Sequence, residues 1–253
     1  MQSLLDRVPL DLILILLFLG LAIPWRGAAR VRELLAREKL SGTDRLKTYA
    51  STIALQWFLA LVIAWRSFAH GFTFAELGLG AGNWILTISV ACGLALGMGM
   101  LQLAGLGQAA RSSGRHTSRM LDVRRLLVPQ TAVESTVFVA LVLTAGLCEE
   151  FIYRGFLFAW AIRLTPSATF AVLGSSAFFA VAHAYQGLRG ALTTFIFGIV
   201  LALSRLWTGS LIPAITAHVL IDLMVGFVAL RWIRPHGRSD GGPREPTATG
   251  DYE

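Results

Sequence analysis

Residues 134–158 read ESTVFVALVLTAGLCEEFIYRGFLF, an apolar run of membrane-crossing length broken past its middle by two adjacent carboxylates and an arginine. A helix needs about 20 mostly apolar residues to cross a hydrocarbon core of ~30 Å, and this run supplies them. Each Asp, Lys or Arg near the centre of such a helix costs ~2.5–3.5 kcal/mol on insertion scales, so an unselected chain would not be expected to retain several. Glu149, Glu150 and Arg154 therefore set two expectations at once: a membrane protein, and a polar site built inside it.

The remainder of the chain reads the same way. Apolar residues make up 55% of the 253 and charged residues 15%, whereas a soluble domain has about 25% charged residues and the polar surface that goes with them. Seven apolar runs follow one another, at roughly 10–25, 49–66, 84–106, 134–158, 168–186, 190–207 and 211–230. The stretch from Gly190 to Leu230 is too long for one crossing; Thr208-Gly209-Ser210 followed by Pro213 divides it into a tight helical hairpin. The expected fold is an all-α polytopic bundle of about seven spans around a buried polar cavity. It is organised as three amino-terminal spans with their linkers (1–133), a core of four spans (134–230) and a disordered tail (231–253).

The net charge of +7 could by itself suggest nucleic acid as a partner. Its distribution excludes that: the basic residues sit in the gaps between apolar runs and in the tail. Seven lie between the first and second runs, five between the third and fourth, one (Arg189) between the fifth and sixth and four in the tail, against five for the opposite set of loops and the spans. Positive charge gathers on the cytoplasmic side of membrane proteins, so this asymmetry predicts an external amino terminus and a cytoplasmic tail. The first run lacks the basic flank and small-residue cleavage site of a secretion signal, since Arg7 is offset by Asp6 and Asp11 and Ile23-Pro24-Trp25-Arg26 follows, and it is read as a retained span. In the third linker, Arg119, Met120, Leu121, Val123, Leu126, Leu127 and Val128 mix basic and apolar positions, as a surface-lying helix or an ordinary loop would. Cys92 and Cys148 lie inside apolar runs and support neither a disulfide framework nor a zinc knuckle. No internal repeat is visible.

Three polar clusters carry the chemistry. On a helix Glu150 and Arg154 are four residues apart and can pair. Glu149 is turned about 100° away, which leaves its carboxylate without that local partner and able to serve as a general base. In the fifth run Phe179 and His183 share a helical face, and in the seventh His218 and Asp222 do so, an imidazole and a carboxylate able to act as one hydrogen-bonded unit. Each cluster alone could be an interhelical polar contact that glues a bundle. Convergence of all three would make one buried site.

The order Glu-Glu-x-x-x-Arg, Phe-x-x-x-His, His-x-x-x-Asn or Asp, each in its own span, resembles the CAAX-protease and bacteriocin-processing family, also called Abi, over about residues 134–230. The resemblance implies an intramembrane endopeptidase in which Glu149 and His183 hold and activate a water, His218 and Asp222 stabilise the oxyanion, and Glu150 and Arg154 form a supporting ion pair. It implies a membrane-anchored or lipidated protein or peptide as substrate, in a bacterial cell membrane. The prenyl-protein branch of the family has Asn where this chain has Asp222. An ionised Asp would repel an oxyanion, so Asp222 is either protonated or an acceptor that orients His218.

No cofactor is expected. Zinc is possible but disfavoured, because only His183 and His218 lie within the motif-bearing spans, and His70, His116 and His236 lie elsewhere. A third ligand would have to be Glu149 or Asp222, and using Glu149 would take the base from its task. A proton- or ion-coupled transporter, or a non-catalytic scaffold, would also bury such a cluster. The absence of a repeat between the two halves of the chain speaks against the transporter.

Overall fold

The computed structural model describes residues 8–37, 40–111 and 127–232. Most of the third linker, including nearly all of its basic and apolar mixture, and all but the first residues of the tail lie outside the described residues, as do His116 and His236. Among the described residues the chain is helical without strands. Its main elements are α1 (Leu10–Leu35), α2 (Gly42–Ala69), α3 (Trp84–Arg111), α4 (Ala132–Leu164), α5 (Ala168–Ala182), α6 (Leu188–Thr208) and α7 (Ile212–Trp232).

Each apolar run thus has its helix, and the helices extend beyond the runs where local signals permit. α2 begins at Gly42, ahead of its apolar stretch, because Ser41 and Asp44 form a reciprocal capping box: Asp44 N donates to Ser41 Oγ at 3.1 Å and Ser41 N to Asp44 Oδ2 at 3.3 Å. Thr131 caps α4 by accepting from Glu134 N at 3.2 Å, and Ser167 caps α5 by accepting from Phe170 N at 3.2 Å. α6 stops at Gly209, whose φ of +68° ends the helix in the left-handed region. α5 is shorter than its apolar run. It ends at Ala182, and the chain turns through His183 and a single 3-10 turn to Gly187, so His183 closes the helix instead of lying inside it.

By length and composition α1, α2, α3, α4 and α6 can each cross a membrane, while α5 and the described apolar part of α7 (Ile212–Phe227) are shorter. Large apolar side chains such as Leu14, Leu21, Leu96 and Met100 face outward, as lipid-facing surfaces require. The inward faces form three packed clusters. One joins α1, α2 and α4 through Leu12, Leu19, Ile63, Ile152 and Phe156. A second joins α3, α6 and α7 through Met98, Leu201, Ala214 and Ile221. The third seats α4 on α5 and α6 through Phe158, Ala171, Val172 and Ala202.

Two features of this packing position the polar residues. α2 and α4 run parallel, tied near their starts by a buried bidentate pair in which Arg45 Nε donates to Glu134 Oε2 at 2.7 Å and Nη2 to Oε1 at 3.1 Å. α4 and α7 approach closely at Gly146, where an added Cβ would stand 2.4 Å from Val219 Cγ2. Small residues at such contacts let helix backbones come together, and here they bring the second half of α4 against the middle of α7.

The loop between α2 and α3 clamps the opposite ends of α4 and α6. Arg163 Nη2 donates to Glu76 Oε1 at 2.8 Å, Arg205 Nη2 to Glu76 O at 2.9 Å, and Leu211 N to Gly78 O at 2.8 Å. The Thr73 amide, Arg163 and the Thr73 hydroxyl together lower the Glu76 carboxyl pKa to about 2. The carboxylate that holds Arg163 is therefore ionised throughout the neutral range.

Candidate active site

α4 carries the first cluster at a change of helical type. Residues Phe151–Leu157, directly after Glu150, form a π-helical segment, an arrangement that recurs at functional sites because it re-aims the side chains around it. Glu149 and Glu150 point different ways across this junction. Glu150 turns into protein and is wholly buried with Arg154. Glu149 turns to an internal cavity and retains 17% exposure of its side chain.

The buried side is a closed polar knot. Arg154 Nη1 donates to Glu150 Oε1 at 2.9 Å, and its guanidinium lies over the Phe179 ring at 4.2 Å from the centroid. Gly198 makes room for it: a Cβ there would sit 3.2 Å from Arg154 Nη2. His218 Nδ1 also lies 2.7 Å from Glu150 Oε1. That oxygen belongs to a carboxylate and accepts, so His218 donates from Nδ1 and turns Nε2 towards Glu149.

His183 is fixed by the same logic. Its Nδ1 lies 2.8 Å from the Phe179 carbonyl oxygen, which can only accept, and its ring stacks obliquely on Phe179 at 4.5 Å. Nε2 of His183 is then the free ring atom, 3.8 Å from Glu149 Oε2. Nε2 of His218 is 4.0 Å from that same oxygen and 3.5 Å from Asp222 Oδ2. Separations of this size leave room for one small molecule to bridge the three groups. Asp222 is the most open member, with 41% of its side chain exposed.

All six residues singled out in the sequence thus meet in one place, although they come from three helices and span 74 positions of the chain from Glu149 to Asp222. Two contacts were not foreseen. Glu150, expected to pair with Arg154 alone, also anchors His218. Gln56 of α2 donates from Nε2 to Glu149 Oε1 at 2.6 Å, from a part of the chain in which no motif is visible. Its only sequence signal is a lone amide inside the apolar run Ile53–Leu59.

The site opens on a cavity of about 540 Å³. Glu149, Tyr153, His183, His218 and Asp222 line it together with apolar side chains that include Leu19, Leu55, Leu59, Ile152 and Phe197, and Arg26, Arg30 and Gln102 also contribute. Such a volume is typical of a ligand site with a few placed polar groups in an apolar wall. Among the described residues no three His, Cys, Asp or Glu side chains are gathered as a set able to hold a metal ion.

Carboxylates and imidazoles thus converge on one cavity inside a multi-helix membrane bundle. Residues 131–224 match the family model described as type II CAAX prenyl endopeptidase Rce1-like. That segment runs from the cap of α4 through Asp222 and contains all six site residues, and over it the chain is similar to the CAAX-protease family that its motifs resemble. Five helices long and apolar enough to cross a membrane accord with an integral, multi-pass membrane protein. Neither a search of curated proteins nor one of solved structures found a match.

Proposed function

We propose that the protein is an endopeptidase that hydrolyses a peptide bond in a membrane-anchored or lipidated protein or peptide, with water activated between Glu149 and His183. The observation that carries this reading is that His183 Nε2 and His218 Nε2 both lie within 4.0 Å of the same oxygen, Glu149 Oε2, at the cavity wall. A water placed there donates one hydrogen bond to His183 Nε2 and the other to Glu149 Oε2. As its oxygen attacks the peptide carbonyl carbon, its proton passes to Glu149. The carbonyl electron pair moves onto oxygen, and His218, protonated on Nε2, donates to that oxyanion. When the carbon–nitrogen bond breaks, the proton on Glu149 goes to the leaving nitrogen, giving a carboxylic acid and an amine.

Asp222 is read as an ionised carboxylate near His218 Nε2, 3.5 Å away, where its charge balances that of the protonated ring. Glu150 is the group that orients the ring through Nδ1. The apolar walls suit a substrate that brings a lipid chain or an apolar segment with it, and the bilayer supplies that substrate.

Purified protein in detergent or nanodiscs, given quenched fluorescent peptides with and without a lipid anchor, is expected to cleave the anchored ones. Activity is expected to persist after dialysis against a chelator, with well under one zinc per chain by elemental analysis. Uptake of a proton or ion without cleavage of any peptide would replace the protease reading with a transporter. About one zinc per chain, with activity lost to chelator and restored by zinc, would overturn the metal-free step. The same reading places the tail in the cytoplasm of a bacterial cell: a fluorescent protein that matures only there, fused after Glu253, should be bright. Labelling of the tail from outside intact cells would reverse the topology.

A further inference from the structure

The family match begins at residue 131, yet one of the contacts to the carboxylate at the centre of the site comes from α2. Gln56 Nε2 stands 2.6 Å from Glu149 Oε1. The carboxylate is acceptor-only, so the amide must present its NH2 end, and the contact fixes how the amide is turned. It also fixes Glu149. With Oε1 engaged from α2, rotation of the carboxylate is arrested, and Oε2 is the oxygen left 3.8 Å from His183 Nε2 and 4.0 Å from His218 Nε2.

The register that delivers Gln56 is set by neighbours on both sides. Arg45 and Glu134 tie α2 to α4 eleven residues earlier on α2, and in the next position Trp57 Nε1 donates to Thr144 Oγ1 of α4 at 3.2 Å. Both helices run the same way along these ties. A slide of one residue along a helix moves a side chain by about 1.5 Å and turns it by about 100°, enough to break a contact of this length.

We infer that Gln56 is a positioning residue for Glu149, and that α2 is therefore part of the catalytic apparatus and not only a packing partner of the family domain. This rests on the reading of Glu149 as the base. Through Glu149, Gln56 selects which carboxylate oxygen meets the water and holds it at one angle. A misplacement of about 1 Å at a reacting group can lower a rate by about a hundredfold without touching the substrate. The effect belongs in kcat, because Gln56 contacts the carboxylate and acts on the chemical step.

The test uses the full-length chain in nanodiscs and a lipid-anchored fluorogenic peptide. Gln56→Met keeps the side-chain length and removes the donor. Its kcat is expected to fall at least tenfold with KM within twofold of wild type, and its melting temperature and membrane yield should be unchanged. A kcat within twofold of wild type, or a loss seen only in KM or in folded yield, overturns the inference. Gln56→Asn keeps the amide but is one methylene too short; it serves if Gln56→Met does not accumulate, and wild-type kcat in it overturns the inference as well. Glu149→Gln is run alongside. If that variant is inactive while Gln56→Met and Gln56→Asn are wild type, only the positioning role fails; if Glu149→Gln is itself active, the reading of the base fails first.

Discussion

Glu149→Gln should remove cleavage while leaving the protein inserted and folded. The substitution keeps the shape of the side chain and its place beside Gln56, but a carboxamide cannot take a proton from water. General-base catalysis contributes about 10²–10⁴-fold, and a loss in that range is the expected result. His183→Ala and His218→Ala are expected to be inactive as well, the first by losing an acceptor for the water and the second by losing the donor to the oxyanion. The measurement is turnover of an anchored peptide by protein whose melting temperature in detergent matches wild type. Near wild-type turnover in Glu149→Gln would mean that this carboxylate is not the base.

Arg154→Ala should behave differently, because its first effect is on folding. The arginine and Glu150 are both wholly buried, and His218 shares the Glu150 oxygen that Arg154 holds. Removing one member of a buried pair leaves the other charge uncompensated, at a cost of about 3–5 kcal/mol. A marginally stable fold does not absorb that without loss, so the amount of folded protein recovered from membranes should drop sharply and activity with it. A double change, Arg154→Met with Glu150→Leu, removes both charges and should restore much of the folded yield. It should still be inactive, because His218 then has nothing on Nδ1 to turn Nε2 to the cavity. Recovery of activity in the double variant would show that Glu150 does not position His218.

Much of the site was legible because its parts obey local rules. Glu150 and Arg154 meet at a spacing of four, and so do Phe179 with His183 and His218 with Asp222, the spacing that places two residues on one face of a helix. The charges stood out because their surroundings are apolar and a membrane makes unpaired charge costly. The contacts that were not legible join residues far apart in the chain. Gln56 reaches Glu149 across 93 positions and His218 reaches Glu150 across 68. Neither contact joins residues at a helical spacing that a reader of the chain could find. A single amide in an apolar run looks the same whether it touches a carboxylate or a backbone carbonyl.

The amino-acid sequence by itself determined that the chain is a bundle of apolar helices, where most of those helices begin and end, and which residue types are buried together at a cost. Those follow from hydropathy, capping and the helical period, all of which act over a few residues. Only the tertiary structure decided which carboxylate oxygen faces which ring nitrogen, that α5 ends at His183 instead of continuing, and that α2 reaches the centre of the site. The physical reason is distance along the chain. Helix rotation and register are set by packing at points such as Gly146 against Val219 and Arg45 against Glu134, and those points are brought together only when the whole bundle closes.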